Sequence, residues 1–353
     1  MDINQGFRKL AFFVHTAEMY HHYKSVWRLL GPDGFDVVLH GTESAMAESR
    51  ALIGGMGYSC HDSAVILSAG HYYDVVVSNH SLFTYGERPL IQALGRRQVR
   101  FMYALGKAKH NFSAWNQHYD LILCFGPWQA ERMKECCSAV TFQMGYPRYD
   151  DYFRQSELQH FLPTDLGLDP NKKTVLWLPT WRGLSSLRLF SDAMSNLIKD
   201  YNVIVKTHPL SVSAEPDALK VLQQYPFTAV ITHVYDNLDL FRCADFVVCD
   251  YGGTPFGALY LDKNLLLLNV PNAAANALTG ENSPDVDLRQ DIVSLDASER
   301  WRISEILQNK ALWSEQVSSR SRLRRRFFSA SYGFSAELAV LAIKNIKNLI
   351  RQG

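Results

Sequence analysis

Arg182, Lys206 and His208 are cationic or hydrogen-bonding side chains, each just past the end of a short apolar run. They fall within four segments suited to holding an anion. These are Gly145-Tyr146-Pro147-Arg148, Pro179-Thr180-Trp181-Arg182, Lys206-Thr207-His208-Pro209 and Asp250-Tyr251-Gly252-Gly253-Thr254. The last three directly follow runs ending at Leu178, Val205 and Cys249. In a parallel sheet the carboxyl ends of the strands open on one crevice, so residues just after them share a site. Arginine and lysine neutralise phosphate charge, histidine and threonine donate hydrogen bonds, and glycines let backbone N–H groups come close. Thr254 adds a hydroxyl at an expected helix start. The set reads as a phosphate cradle, with contacts expected from Gly145, Tyr146, Arg148, Thr180, Arg182, Lys206, His208, Asp250, Gly252, Gly253 and Thr254. Each segment alone also reads as ordinary structure: a helix-start turn at Lys206–Pro209, a tight turn at Gly252-Gly253, a surface charge at Arg182. Their conjunction at successive strand ends favours the cradle.

The elements that must position these residues are short apolar runs alternating with helical patterns. Leu10–Val14, Phe35–Leu39, Ala64–Leu67, Tyr73–Val77, Val99–Tyr103 and Leu121–Phe125 form a first series of strands, with His22–Leu30 spaced as a helix. Thr174–Leu178, Tyr201–Val205, Ala229–Ile231, Phe246–Cys249 and Leu265–Leu268 form a second. Such runs between helices imply an α/β protein with parallel sheets covered on both faces. The turn-rich stretch 145–150 and the polar, proline-containing stretch 162–173 divide the series. The expected organisation is a doubly wound, Rossmann-like domain over 1–150, a second over 151–335, and a closing helix over 336–353.

The 353 residues, 47% apolar and 20% charged, make an ordinary globular composition and exclude disorder, collagen-like repeats and coiled coil. A net charge of +1 argues against a nucleic-acid partner. The six cysteines include no Cys-x-x-Cys and read as reduced thiols of a cytoplasmic protein. The apolar start is too short for a secretory signal, and no run approaches the ~18 residues that span a membrane. His21-His22 are adjacent on a helix and point differently, so no metal site is expected.

The ordered motifs at 145–150, 179–182, 206–209 and 250–254, preceded by Asp236–Asp245, resemble the CDP-glycerol glycerophosphotransferase family, the teichoic-acid and capsule polymerase-like enzymes. Tyr332-Gly333 matches a further family position in part, and the resemblance runs from about residue 100 to the end. It implies a GT-B fold, two Rossmann-like halves facing across a cleft. It also implies metal-independent transfer of a polyol phosphate from a CDP-linked donor to a glycan or lipid-linked acceptor, with no cofactor. By resemblance Arg182 and His208 contact the donor pyrophosphate, and Thr254 with its glycines holds the phosphates. Two departures stand out. The family's Trp-His-Gly, whose His is the proposed base, is replaced by Ala104-Leu105-Gly106, and its Asp-Tyr-Ser-Ser by Asp-Tyr-Gly-Gly-Thr.

Because Leu105 cannot accept a proton, the candidate bases are His80 and His15, each following a first-domain strand, and His110 between lysines; Glu18 is a further alternative. Arg320, Arg322, Arg324, Arg325 and Arg326 beside two phenylalanines read either as an anionic-membrane contact on the inner face of the cell membrane or as a solvated helix face. A nucleotide-sugar glycosyltransferase on the same fold, and an inactive nucleotide-binding scaffold, remain the alternative functions.

Overall fold

The structure, a computed structural model, describes residues 6–155 and 163–352. The chain divides into two compact units. Unit 1 takes in the chain up to Tyr103, Phe112–Asp151 and the chain from Phe327 on; unit 2 takes in Ala104–Asn111 and Tyr152–Arg326. The expected division at 150 omits two crossings. The segment Ala104–Asn111 packs with unit 2, and the return to unit 1 starts at Phe327, before the expected closing helix.

Unit 1 is built on strands β1 (Leu10–Val14), β2 (Asp36–Leu39), β3 (Cys60–Asp62), β4 (Tyr73–Ser78), β7 (Gly95–Phe101), β8 (Leu121–Cys124) and β9 (Val140–Gln143); β5 (Thr84–Tyr85) and β6 (Arg88–Pro89) form a separate hairpin. The seven strands pair in parallel in the order β3-β2-β1-β4-β7-β8-β9. The helix Met19–Leu30 buries Met19, Tyr23, Val26 and Trp27, a one-sided apolar stripe. Phe12 of β1 meets Tyr23, Trp27 and Phe35 at ring separations of 5.2, 5.6 and 5.0 Å. Asp150 accepts the N–H groups of Ser335 (3.1 Å) and Ala336 (2.7 Å), a carboxylate at the positive start of the helix Ser335–Lys344.

Several elements differ from expectation. Ala64–Leu67 lies in the helix Ser63–Ser68, with Ile66 buried and Val65 exposed; the neighbouring strand β3 is the polar triplet Cys60-His61-Asp62. Strand β7 runs from Gly95 to Phe101 rather than 99–103. Arg96 and Arg97 are exposed, while Gln98 and Arg100 are buried: Gln98 donates to the Gly95 carbonyl, and Arg100 donates to Asn116 and lies 4.2 Å over Trp115. Strands β9 and β15 were not expected, and 336–350 is two helices, Ser335–Lys344 and Ile346–Gln352.

Unit 2 carries β10 (Lys173–Leu178), β11 (Tyr201–Lys206), β12 (Ala229–Ile231), β13 (Phe246–Cys249), β14 (Asn264–Leu268) and β15 (Ser294–Leu295), all parallel, in the order β12-β11-β10-β13-β14-β15. Trp177, Phe190, Val203, Val248 and Leu266 fill its core. In each unit the order reverses between the first and fourth strands of the series, β1/β4 and β10/β13. That reversal opens the crevice where doubly wound sheets bind ligands.

Candidate functional site

In unit 2, β10 and β13 lie side by side at that reversal, and Asp250 pins their carboxyl ends together. Its buried carboxylate accepts the N–H groups of Thr180 (2.8 Å), Tyr251 (2.7 Å) and Ser186 (2.8 Å) and the Ser186 hydroxyl (2.9 Å). Burial pushes the carboxyl up to about 6, against the pull of these donors. Arg289 buckles the same turn from outside: its guanidinium donates to the carbonyls of Asp250 (2.8 Å) and Leu268 (3.0 Å) and lies 3.7 Å over the Tyr251 ring. Asp250 is therefore a brace for the loops rather than a ligand contact.

Trp181 is the hub of the site. The His208 ring stacks on it at 5.5 Å, the Arg182 guanidinium lies 4.4 Å from its centre, and the Lys107 ammonium lies 5.7 Å away. Arg182 holds a positive φ of 56° while its N–H donates to Glu215 at 2.6 Å, which leaves its side chain exposed. Among the described residues neither Arg182 nor Lys107 has a carboxylate within 4.0 Å of its charged group. His208 Nδ1 accepts the Leu210 N–H at 3.2 Å. Burial, then the charges of Lys107 and Lys206, hold the His208 ring's pKa down at about 3. The ring is thus neutral near pH 7 and carries its proton on Nε2, as a donor. Lys206 is buried at the end of β11.

Two cradle expectations change. The Gly252 N–H, expected to face a ligand, donates to the buried Asp285 carboxylate at 3.0 Å. Gly252 has φ of 102° and lets Lys107 and Thr180 close over it: a Cβ there would lie 3.4 Å from Lys107 Cε and 3.7 Å from Thr180 Oγ1. Thr254 opens the helix Thr254–Tyr260, directly after the glycine pair.

Gly145, Tyr146 and Arg148 belong to unit 1 and are engaged in its packing. Tyr146 stacks on Phe125 at 4.0 Å, and its N–H donates to Ser335. Arg148 is buried, bonding Glu18 at 2.9 Å and His22 at 2.8 Å, so Glu18 is ion-paired. His15 and His80, after β1 and β4, come together at the reversal of the unit 1 sheet, 4.4 Å apart. Burial, with His40 beside it, lowers His15 to about 4, and its buried Nδ1 has no hydrogen-bond partner among the described residues. His110 lies in unit 2, on the short helix Ala108–Asn111, rather than in the first domain.

The arginine run is largely ion-paired. Arg320 is buried against Asp262 (2.8 Å), Arg322 pairs with Asp291, Arg324 with Asp262 (3.7 Å) and Arg326 with Asp287 (3.4 Å). Four arginines thus share three carboxylates of unit 2, and Arg322 and Arg326 keep much of their side chains exposed. No helix among the described residues is long and apolar enough to cross a membrane.

Residues 60–269 match the family described as CDP-glycerol:poly(glycerophosphate) glycerophosphotransferase. The chain belongs to this family. It is 24% identical over 166 residues to a teichoic acid poly(glycerol phosphate) polymerase of Staphylococcus epidermidis, covering 42% of this chain and 22% of that polymerase's length. Among solved structures, the wall teichoic acid polymerase TagF aligns with a TM-score of 0.66 at 16% identity over 98% of this chain and 89% of that one. A putative UDP-N-acetylglucosamine 2-epimerase from Listeria monocytogenes aligns at 0.65, with 14% identity over 97% of both chains. The fold is of the GT-B type.

For a member of the glycerophosphotransferase family, the distinctive feature is the stretch around Leu105. That side chain is fully buried and cannot take part in acid–base chemistry. Sequence reading missed Lys107, Trp181, Asp285 and Arg289 as parts of the site. The Gly106-Lys107 pair just beyond a strand was the one signal for Lys107; Trp181 lies within the 179–182 motif, while Asp285 and Arg289 depend on contacts far apart in the chain.

Proposed function

We propose that the chain transfers a polyol phosphate, glycerol or ribitol phosphate, from a CDP-linked donor to a hydroxyl of a glycan or lipid-linked acceptor. The observation that carries this reading is the grouping of Arg182 and the neutral His208 donor on Trp181, beside Thr180 and Lys206, at the β10/β13 reversal. The family description, and a TagF variant solved after soaking with CDPG, support the donor assignment. In the reaction the acceptor oxygen bonds to the phosphorus that carries the polyol. The bridging P–O bond breaks, and CMP leaves with that bond's electron pair. Positive and N–H groups around the diphosphate stabilise the charge that develops on the departing oxygen. The acceptor's proton is assigned to His80, whose ring packs 4.4 Å from that of His15. The likeness of the GT-B scaffold to epimerases acting on nucleotide sugars is a likeness of fold and does not favour a sugar donor.

Calorimetric titration with CDP-glycerol tests the cradle. Arg182→Ala and His208→Ala should each weaken binding ten- to a hundredfold, the loss of a charge-assisted hydrogen bond worth roughly 1.5–3 kcal/mol. Unchanged dissociation constants would remove the assignment. The buried Leu105 favours one second reading, a nucleotide binder without turnover. Release of CMP from CDP-glycerol on incubation with an acceptor polymer rules it out; tight binding without CMP release establishes it.

A further inference from the structure

Lys107 stands two residues beyond Leu105, in the segment Ala104–Asn111 that packs with unit 2. That segment is tied down along its length. The Lys107 N–H donates to Asp285 (3.2 Å), the Ala108 N–H to Ser283 (3.0 Å) and the His110 N–H to the Leu278 carbonyl (3.3 Å). Asp285 Oδ2 also takes the Gly252 N–H, so one carboxylate oxygen fixes both Lys107 and the Gly252 loop. Lys107 has φ of 59°, a left-handed conformation that a non-glycine residue keeps only when its surroundings impose it.

The result is an ammonium held over the site. Lys107 Nζ donates to Thr180 Oγ1 at 3.3 Å and lies 5.7 Å from the Trp181 ring that also carries Arg182 and His208. Its half-buried setting removes part of its water and lowers its pKa; Asp250 and Asp285 oppose that shift. Its hydrogen-bond acceptor is a neutral hydroxyl, and it makes no ion pair among the described residues. A cation taken from water is stable only when a counter-charge or a full set of acceptors replaces its hydration. One hydroxyl oxygen does not do so for an ammonium with three donors. An anion at Trp181 would complete the set.

We propose that Lys107 is a donor-binding residue: its ammonium, aimed by the strained 104–111 segment, holds a phosphate group of the nucleoside diphosphate donor together with Arg182 and His208. The proposal rests on the reading of this site as a nucleotide-diphosphate site. It adds a contact that none of the four sequence motifs contains, from the stretch where the expected histidine has become Leu105.

The test is titration of the full chain with CDP, and with uncharged cytidine, at low salt and pH 7, using the parent, Lys107→Met, Lys107→Gln and Lys107→Arg. Losing the ammonium in Lys107→Met or Lys107→Gln should weaken CDP ten- to a hundredfold, while Lys107→Arg keeps most of the affinity. Cytidine binding should change less than twofold in all three, and unchanged melting temperatures would show that the segment still folds. The two neutral variants bracket the risk that one side chain disturbs the turn. If both bind CDP as the parent does, the Lys107 role is overturned while the nucleotide site stands. If CDP and cytidine fall together in the folded variants, the residue shapes the pocket without meeting the phosphate, which also overturns the proposal. A parent that binds no CDP at millimolar concentration overturns the nucleotide reading itself, and this proposal with it.

Discussion

His208 and Asp250 sit in one loop cluster with pKa shifts of opposite sign, and their pH dependences oppose each other. His208 is lowered from 6.5 to about 3, and His15 in unit 1 from 6.5 to about 4. For both, the unfolded chain binds more protons than the native state below about 6.5, so their contribution is full above that pH and is lost as the pH falls towards the native values. Asp250 is raised from 3.8 to about 6, so its contribution is present below about 3.8 and is lost as the pH rises through about 6. The two histidine shifts together outweigh the single carboxyl shift. Lowering the pH from 7 to 5 should therefore reduce the melting temperature, and His208→Gln should flatten that fall. A melting temperature that rises on acidification, or a variant with the parent's slope, would contradict this balance. The same lowered pKa makes His208 a hydrogen-bond donor to phosphate at neutral pH and a poor proton acceptor, so a base must come from elsewhere. His15, lowered to about 4, shares that limit, so the role falls to His80, with the His15 ring packed 4.4 Å away: His80→Ala should lower turnover by ~10²–10⁴ with nearly unchanged donor affinity. Parent-level turnover in that variant would refute the role.

The segment 104–111 shows how an element without regular structure over its first half is held by particular atoms. A Cβ on Gly106 would lie 2.3 Å from the Gly252 carbonyl oxygen and 2.8 Å from Asp285 Oδ2, both fixed groups. Gly106 is the residue that allows this segment to meet the β13 loop. Gly106→Ala should cost about 1–3 kcal/mol by overpacking, read by urea unfolding, and should weaken CDP binding by displacing Lys107. A variant equal to the parent in both would show that the close approach is not needed. The 145–150 motif illustrates the converse. Its turn-rich residues resemble a binding loop, yet Gly145 backs onto Ser331 and Ser335, and Asp150 caps the helix Ser335–Lys344, so the stretch joins the chain's last part to unit 1.

Across the whole molecule, a net charge of +1 conceals a strongly basic helix. In Lys310–Phe327 four of the five arginines pair with three carboxylates of the same unit, Asp262, Asp287 and Asp291. Arg320 is 4% exposed and bonds Asp262, Asn264 and Gln316. Arg320→Ala should lower stability by about 1–3 kcal/mol, since it strands polar partners in a largely buried site. Changing Arg322, Arg324, Arg325 and Arg326 to glutamine should leave co-sedimentation with anionic vesicles unchanged. A clear loss of vesicle binding at low salt would restore the membrane reading.

Strands such as β1, β4, β8, β10, β11, β13 and β14 were legible in the sequence because a strand buried on both faces is a short, nearly continuous apolar run. Thr180, Arg182, Lys206 and His208 were legible for the same reason, being the first residues beyond such runs. Strand β3 and the start of β7 were hidden by polar residues that interrupt the apolar pattern. Local pattern also could not say which unit a connecting stretch joins. Arg148 pairs with Glu18, and Lys107 meets Thr180, across sequence separations of 130 and 73 residues. Periodicity is a local property, whereas burial, counter-charge and imposed backbone strain depend on what the finished fold places alongside, and those decided that Lys107 faces the site and Arg148 the interior of unit 1.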